Sequence, residues 1–216
     1  MLRVAYRESL EATETELGTL GALMVDALKH AVKAVETRGT ALAARIIAGA
    51  DQTAEMARRV QQACIELIWR QQPLAGEMRR VTAMFEMSTD LERINHYITD
   101  IAKHAVRLAD SDLEPPNVAI REVADLTQEN LRRAVESYTK RDLDAARSVL
   151  ADDETFEKLY STGIRALQAA IRANPDVLAP ATELLFVLTS LQRVGEHAAS
   201  IAWHTEEMLT GETPAA

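Results

Sequence analysis

Glu92, His96 and Asp100 stand at i, i+4 and i+8. At 3.6 residues per turn they fall close to one face of any helix that carries them. Two carboxylates flanking an imidazole, one turn apart, are ligands for a divalent cation, and this oxygen–nitrogen set suits iron, manganese or zinc. Asp51 and Glu55, one turn apart upstream, could complete the shell. A second set lies a hundred residues on: Gln192, Glu196 and Ser200. Two of these are neutral, so that site rests on Glu196, with Asp153 and Glu157 from the preceding segment. A metal is therefore expected to prefer the first set, with affinity falling below about pH 6.5 as the imidazole protonates. The competing reading is a solvated i,i+4 pair of Glu92 and His96, worth roughly 0.2–0.5 kcal/mol.

Other chemistries find little support. The sequence contains no Walker loop, no GxGxxG and no GxSxG elbow. A ferritin-like di-metal bundle needs Glu-x-x-His pairs, yet the residues three before the five histidines are Ala27, Arg93, Ile101, Val194 and Ile201. Cys64 is the single cysteine, which rules out an intrachain disulfide and a thiolate zinc cluster. Its spacing to Val60, Ala63 and Leu67 makes it a small core residue. A further stripe, Arg79, Glu86, Asp90, Arg93, Tyr97, Asp100, His104 and Arg107, reads as an alternating charge ladder on a helix surface.

The elements that must carry these residues are helices. In 216 residues there are only 8 Gly and 6 Pro, 4% aromatics and 47% hydrophobic residues. Sheets need turn residues and β-branched or aromatic faces, while Ala, Leu, Glu, Arg and Gln favour helix. The composition predicts an all-α protein. With 24 basic against 33 acidic residues the net charge is −9, which argues against nucleic acid as a partner. Pairs such as Arg58–Arg59, Arg79–Arg80 and Arg132–Arg133 read as solvated helix faces. The opening MLRVAYRESLEATETE has no apolar leader core, and the longest strongly apolar run is Leu184–Leu188. Both features predict a cytoplasmic protein.

Apolar periodicity predicts a first helix from about Leu2 to Arg38, on the stripe Tyr6, Leu10, Leu17, Leu20, Met24, Leu28, Ala31 and Val35. Gly39 is expected to end it and Thr40 to cap the next, which runs through Leu42, Ile46, Ala57, Val60, Cys64 and Leu67 to about Gln72–Pro73. A third spans about Leu74–Leu108, and Pro115–Pro116 then breaks the pattern. Beyond that break the chain repeats itself. Asp51, Thr53 and Glu55 return as Asp153, Thr155 and Glu157, and TDLERINHYITDIAKH (89–104) aligns with TSLQRVGEHAASIAWH (189–204). Two blocks in one order at nearly equal offsets indicate tandem duplication. The expected architecture is six long helices as two tandem antiparallel three-helix bundles, residues 1–112 and 113–216. Charge divides unevenly: residues 1–110 carry 14 basic and 15 acidic side chains, and residues 111–216 carry 10 and 18.

The run WRQQPLAGEMRRVTAMFEMSTDLERINHYITDIA (69–102) resembles the signature of the PhoU family of phosphate-signalling regulators, RqxPxAxDLR followed by sxDLERIGDxAxNIA. The run LLFVLTSLQRVGEHAASIA, with a later LTGE (209–212), is similar to that family's second copy. The resemblance covers about residues 3–212. It implies a non-catalytic cytoplasmic adaptor that restrains the phosphate-starvation response, coupling a phosphate ABC transporter to a membrane sensor histidine kinase. It also implies surface metal clusters at the Glu-x-x-x-Asp of LERIGD. That motif falls on Glu92 and His96 in the first copy and on Gln192 and Glu196 in the second, and Asp100 and Ser200 replace the following Asn. A homodimer is expected from the long amphipathic faces. The alternative function class is a metal-storing or metal-dependent helical-bundle protein.

Overall fold

The stripe Tyr6, Leu10, Leu17, Leu20, Met24, Leu28 and Ala31 is buried along the whole length of the first helix, α1 (Leu2–Thr37). The computed structural model describes residues 2–71, 73, 75–112, 114–116 and 120–213. After α1 come α2 (Thr40–Gln71), α3 (Ala75–Ala109), α4 (Ile120–Lys140), α5 (Leu143–Leu150), α6 (Asp153–Ala173), a 3₁₀ turn (Pro175–Val177) and α7 (Leu178–Thr210). No strand occurs among the described residues. Gln72 and Leu74, at the expected α2–α3 junction, lie outside the described residues. So does Leu113, where the expected boundary between the two bundles falls; Pro115 and Pro116 are non-helical, as their chemistry requires.

The duplication is visible in the backbone. Together α5 and α6 take the place that α2 has in the first unit, and α7 takes that of α3. The two copies of the first helix close alike, and not as the sequence suggested. Gly39 is not the residue that turns the chain: Arg38 takes a left-handed conformation at φ 50, and the Gly39 N–H bonds the Ala34 carbonyl at 2.9 Å. In the second unit Arg141 does the same at φ 55, with Asp142 N–H on the Ser137 carbonyl at 2.8 Å. These are Schellman closures in which a side chain other than glycine bears the positive φ. Each arginine then reaches a carboxylate, Arg38 to Glu114 at 3.1 Å and Arg141 to Glu14 at 3.3 Å.

In the second unit two helices, α5 and α6, stand where the six-helix expectation has one, and they part just before Asp153. Ala151 and Asp152 keep nearly helical dihedrals between α5 and α6, but Asp152 N–H bonds Val149 O, one residue short of helical register. Arg133 of α4 explains the kink. It is not a solvated face residue; its guanidinium reaches Asn130 at 2.6 Å, Ser148 at 3.0 Å and the Asp152 carboxylate. The tertiary pull on Asp152 outweighs local helix propensity.

Four helices form the centre, α1 and α3 from one unit with α4 and α7 from the other, while α2 and α5–α6 flank them. The largest helix–helix contact is α3 on α7. The two are antiparallel, because Asp90 meets His197 while His104 meets Glu183. Most buried apolar side chains of both units join in one cluster, with Ala34, Ala43, Ala102 and Ala105 forming a second. By length and composition Pro175–Thr210 is apolar enough to cross a membrane, a property the longest unbroken apolar run does not reveal. Here its apolar face is buried against α3 and α4.

On the other side of the centre, α1 and α4 approach closely at Gly21, where a Cβ would stand 2.7 Å from Val135 Cγ1. Replacing Gly21 by Ala should gain helix propensity but destabilise the protein by about 1–2 kcal/mol, because overpacking outweighs that gain. Adding Val135→Ala should recover most of the loss, giving a coupling above roughly 0.5 kcal/mol in urea denaturation. Additive effects of the two changes would show that α1 and α4 do not meet there.

Candidate functional site

Helix α3 presents two polar faces, one to α2 and one to α7. On the α2 side, Asp51, Glu92, His96 and Lys103 border a groove of about 430 Å³ floored by Ala50 and Ala54. Asn95 fixes its shape, donating from Nδ2 to the Ala50 carbonyl at 2.9 Å and so holding α3 against α2. The spacing rule therefore succeeds in part: Glu92, His96 and Asp51 do share one groove.

Their partners are the difficulty for a metal. Glu92 faces Arg58 at 3.5 Å and Gln61 at 3.4 Å. Glu55 is held by the same Arg58 at 2.9 Å. Asp100 accepts from Lys103 at 2.9 Å and lies 3.3 Å from His96 Nε2. In the second unit Glu196 pairs with Arg193 at 2.7 Å, Gln192 meets Glu157 at 3.5 Å, and Asp153 opens α6 instead of lying within a continuous helix. Among the described residues, no group of three or more His, Cys, Asp or Glu converges on one point. Glu55, Glu92 and Asp100 are paired with the protein's own cations and amides, whereas Asp51 is not, so a cation here would have to compete with Arg58 and Lys103.

The face of α3 toward α7 carries polar groups that spacing alone misassigned. Asp90 and His104 are not rungs of a solvated ladder; both are about nine-tenths buried. His197 donates from Nδ1 to Asp90 Oδ1 at 2.9 Å, and His104 from Nδ1 to Glu183 Oε2 at 2.6 Å. A carboxylate only accepts, which places the proton on Nδ1 in each ring. Tyr97 stacks on His197 with centroids 5.8 Å apart, and His104 on Phe186 at 5.1 Å. The duplication held the signal for part of this: equivalent residues of two antiparallel copies meet near their dyad, and Tyr97 and His197 are equivalent at the offset of one hundred.

Cys64 is fully buried and its thiol is pushed up to about 12 by desolvation, so no thiolate nucleophile is available there. The arrangement is a helical scaffold with a pinned polar seam on one side of α3 and a partly ion-paired groove on the other.

Comparison with known proteins places that scaffold. The PhoU domain family model matches residues 17–105 and 120–204, one copy in each unit. The chain belongs to the PhoU family. Among its relatives is the phosphate-specific transport system accessory protein PhoU homolog of Pseudomonas aeruginosa, 27% identical over 91% of this chain and 82% of the relative. The Caulobacter vibrioides homolog is 28% identical over 96% of this chain and 91% of its own length. The crystal structure of PhoU from Pseudomonas aeruginosa superposes with a TM-score of 0.93 at 26% identity, covering 96% of this chain and all of that one. The phosphate transport system regulatory protein PhoU of Streptococcus pneumoniae shares the fold, at a TM-score of 0.89 and 18% identity over 98% of this chain and all of its own.

The pairing in the α2–α3 groove has a measurable consequence. Metal-free protein titrated with iron(II), manganese or zinc should take up no more metal than the Glu92→Gln, His96→Ala double variant. Greater saturable uptake by the wild type, read by elemental analysis after gel filtration, would show that a cation displaces Arg58 and Lys103 from the groove.

Proposed function

We propose that this chain is a cytoplasmic, non-catalytic accessory protein of a phosphate-specific transport system. In this reading it restrains the phosphate-starvation response by coupling a phosphate ABC transporter to a sensor histidine kinase. The observation that carries the reading is the paired PhoU match, with near-complete coverage of relatives bearing the transport-accessory name. The site chemistry supports a scaffold over a metal-storing protein or a metal-dependent enzyme. Glu92 is engaged by Arg58 and Gln61 and Asp100 by Lys103, and the only thiol is buried.

Self-association belongs to the same reading. Ile65 and Trp69 lie one turn apart on α2, and Trp69 is 80% exposed. Apolar side chains in that position favour pairing with a second copy. Sedimentation at micromolar concentrations should give a dimer that Trp69→Glu weakens, and a wild-type monomer would remove dimerisation from the reading.

The regulatory role is tested in the cell. Deletion of the gene should leave alkaline phosphatase and phosphate-uptake genes expressed in phosphate-rich medium, and the wild-type gene should restore repression. Normal repression in a strain lacking every copy of the gene would overturn the role.

A further inference from the structure

The large apolar side chains exposed among the described residues are unevenly spread. Val4 and Leu23 lie on α1, Ile65 and Trp69 on α2, and Leu178, Leu185 and Phe186 fall together on the first turns of α7. At about 100° per residue these last three share one face of the helix. Thr182 and Thr189 lie on the same face. Their hydroxyl protons are spent on the Leu178 carbonyl at 2.7 Å and the Leu185 carbonyl at 3.0 Å. The stripe therefore offers apolar surface and no free side-chain proton. Its three large residues are between 38% and 56% exposed, half sunk between their neighbours. Such ridges suit interdigitation with a further helix. The Phe186 ring is already stacked on His104, so its orientation is set before anything docks.

Helix α3 runs antiparallel beside this stripe and supplies its charged edge. Arg107 is 58% exposed and stands 3.6 Å from Glu183, whose Oε2 is taken by His104 at 2.6 Å. Two heptads earlier on the same side of α3, Arg93 is exposed and has no hydrogen bond or ion pair among the described residues. It lies between α7 and the α2–α3 groove, which it also borders. The carboxylates nearest this edge are engaged, Asp100 by Lys103 at 2.9 Å and Glu196 by Arg193 at 2.7 Å. Asp176, with its carboxylate unpaired, stands beyond the stripe in the 3₁₀ turn before Leu178. In a chain of net charge −9, the α3 edge of the stripe is left with surplus positive charge.

Three occupants can be compared against this face. An anionic bilayer would meet the two arginines, but also a second unit with 10 basic and 18 acidic side chains. A second copy docked isologously would bring the same positive edge against its own. A helix with an apolar face and an acidic flank matches both features and covers the stripe alone. We propose that the α7 stripe docks an amphipathic helix of a partner protein, with its apolar face on Leu178, Leu185 and Phe186 and its acidic flank on Arg93 and Arg107. These arginines are about 21 Å apart along α3, so the docked helix spans roughly four turns. The chemistry of this face is independent of any role in phosphate regulation.

Fluorescence anisotropy on the full chain tests it, with a labelled leucine–glutamate peptide of about 18 residues patterned as an amphipathic helix. Saturable binding is expected, and the same composition scrambled to break the apolar face should bind at least about tenfold more weakly. Leu185→Glu should weaken binding roughly tenfold, and Arg107→Glu about threefold. Leu23→Glu and Lys29→Glu, the same kinds of change at exposed sites on α1, should leave it unchanged. A peptide with lysine at the flanking positions should bind the Arg93→Glu, Arg107→Glu double variant more tightly than the wild type, a gain that misfolding cannot produce. The proposal is overturned if the scrambled peptide binds equally, if Leu23→Glu weakens binding as much as Leu185→Glu, or if the double variant shows no such gain. It is also overturned if Leu185→Glu abolishes binding of the wild type to phosphatidylglycerol vesicles, which assigns the face to lipid. Loss of a wild-type dimer on Leu185→Glu, read by sedimentation, would likewise overturn it by assigning the face to a second copy.

Discussion

Helix α7 cannot be left in water, and most of the architecture follows from that. Its best window has a mean hydropathy of 1.3, high enough for a membrane span. Burying Leu184, Leu188 and Leu191 removes each from solvent, at about 1.5–3 kcal/mol per side chain. The burying surface is α3, whose Met84, Met87, Ile94, Ile98 and Ile101 are equally closed off. Neither unit encloses its own third helix on all sides. The two units therefore share one core, and the duplicated chain is a single folded body in which each copy completes the other.

That shared core explains why the polar groups on the seam are paired as they are. A charge or imidazole placed between α3 and α7 leaves water, so it must find a partner across the contact. Asp90 finds His197 and His104 finds Glu183, from opposite ends of two antiparallel helices. Such pairs add little net stability, but they fix register, because sliding either helix by one residue would strand all four groups. One oxygen of Asp90 remains buried without a partner, so the seam is not fully satisfied.

Periodicity located the helices well because it reports burial, and burial decides the elements. The stripe on α1 is buried from Tyr6 to Ala31, and Cys64 sits in the core where its spacing put it. Repeats were readable because they are a property of sequence alone. What escaped was whatever depends on a distant residue. Arg133 kinks the α5–α6 segment through Asp152, and no local pattern shows a contact that spans nineteen positions. Arg38 takes the left-handed position where Gly39 was expected to turn the chain, and Arg141 repeats it in the second unit, each with its guanidinium on a carboxylate elsewhere. The proposed ligands fared likewise. Spacing placed Glu92, His96 and Asp100 on one face, but Arg58 and Gln61 on Glu92, and the role of Arg58 in bridging it to Glu55, become visible only in three dimensions.

Duplication also left the two copies electrostatically unlike. The first 110 residues are nearly neutral, with 14 basic and 15 acidic side chains, while the rest carry 10 and 18. A shared core constrains the inward residues, which are mostly apolar in both copies. Outward residues are free to diverge, and they have: Glu92 with His96 in one groove stands against Gln192 with Glu196 in the other. At physiological ionic strength the Debye length is about 8 Å, shorter than the reach across a helical unit. Each unit therefore presents its own local field to whatever approaches it. Two surfaces that share one backbone but differ in charge are a physical basis for unlike contacts on the two units.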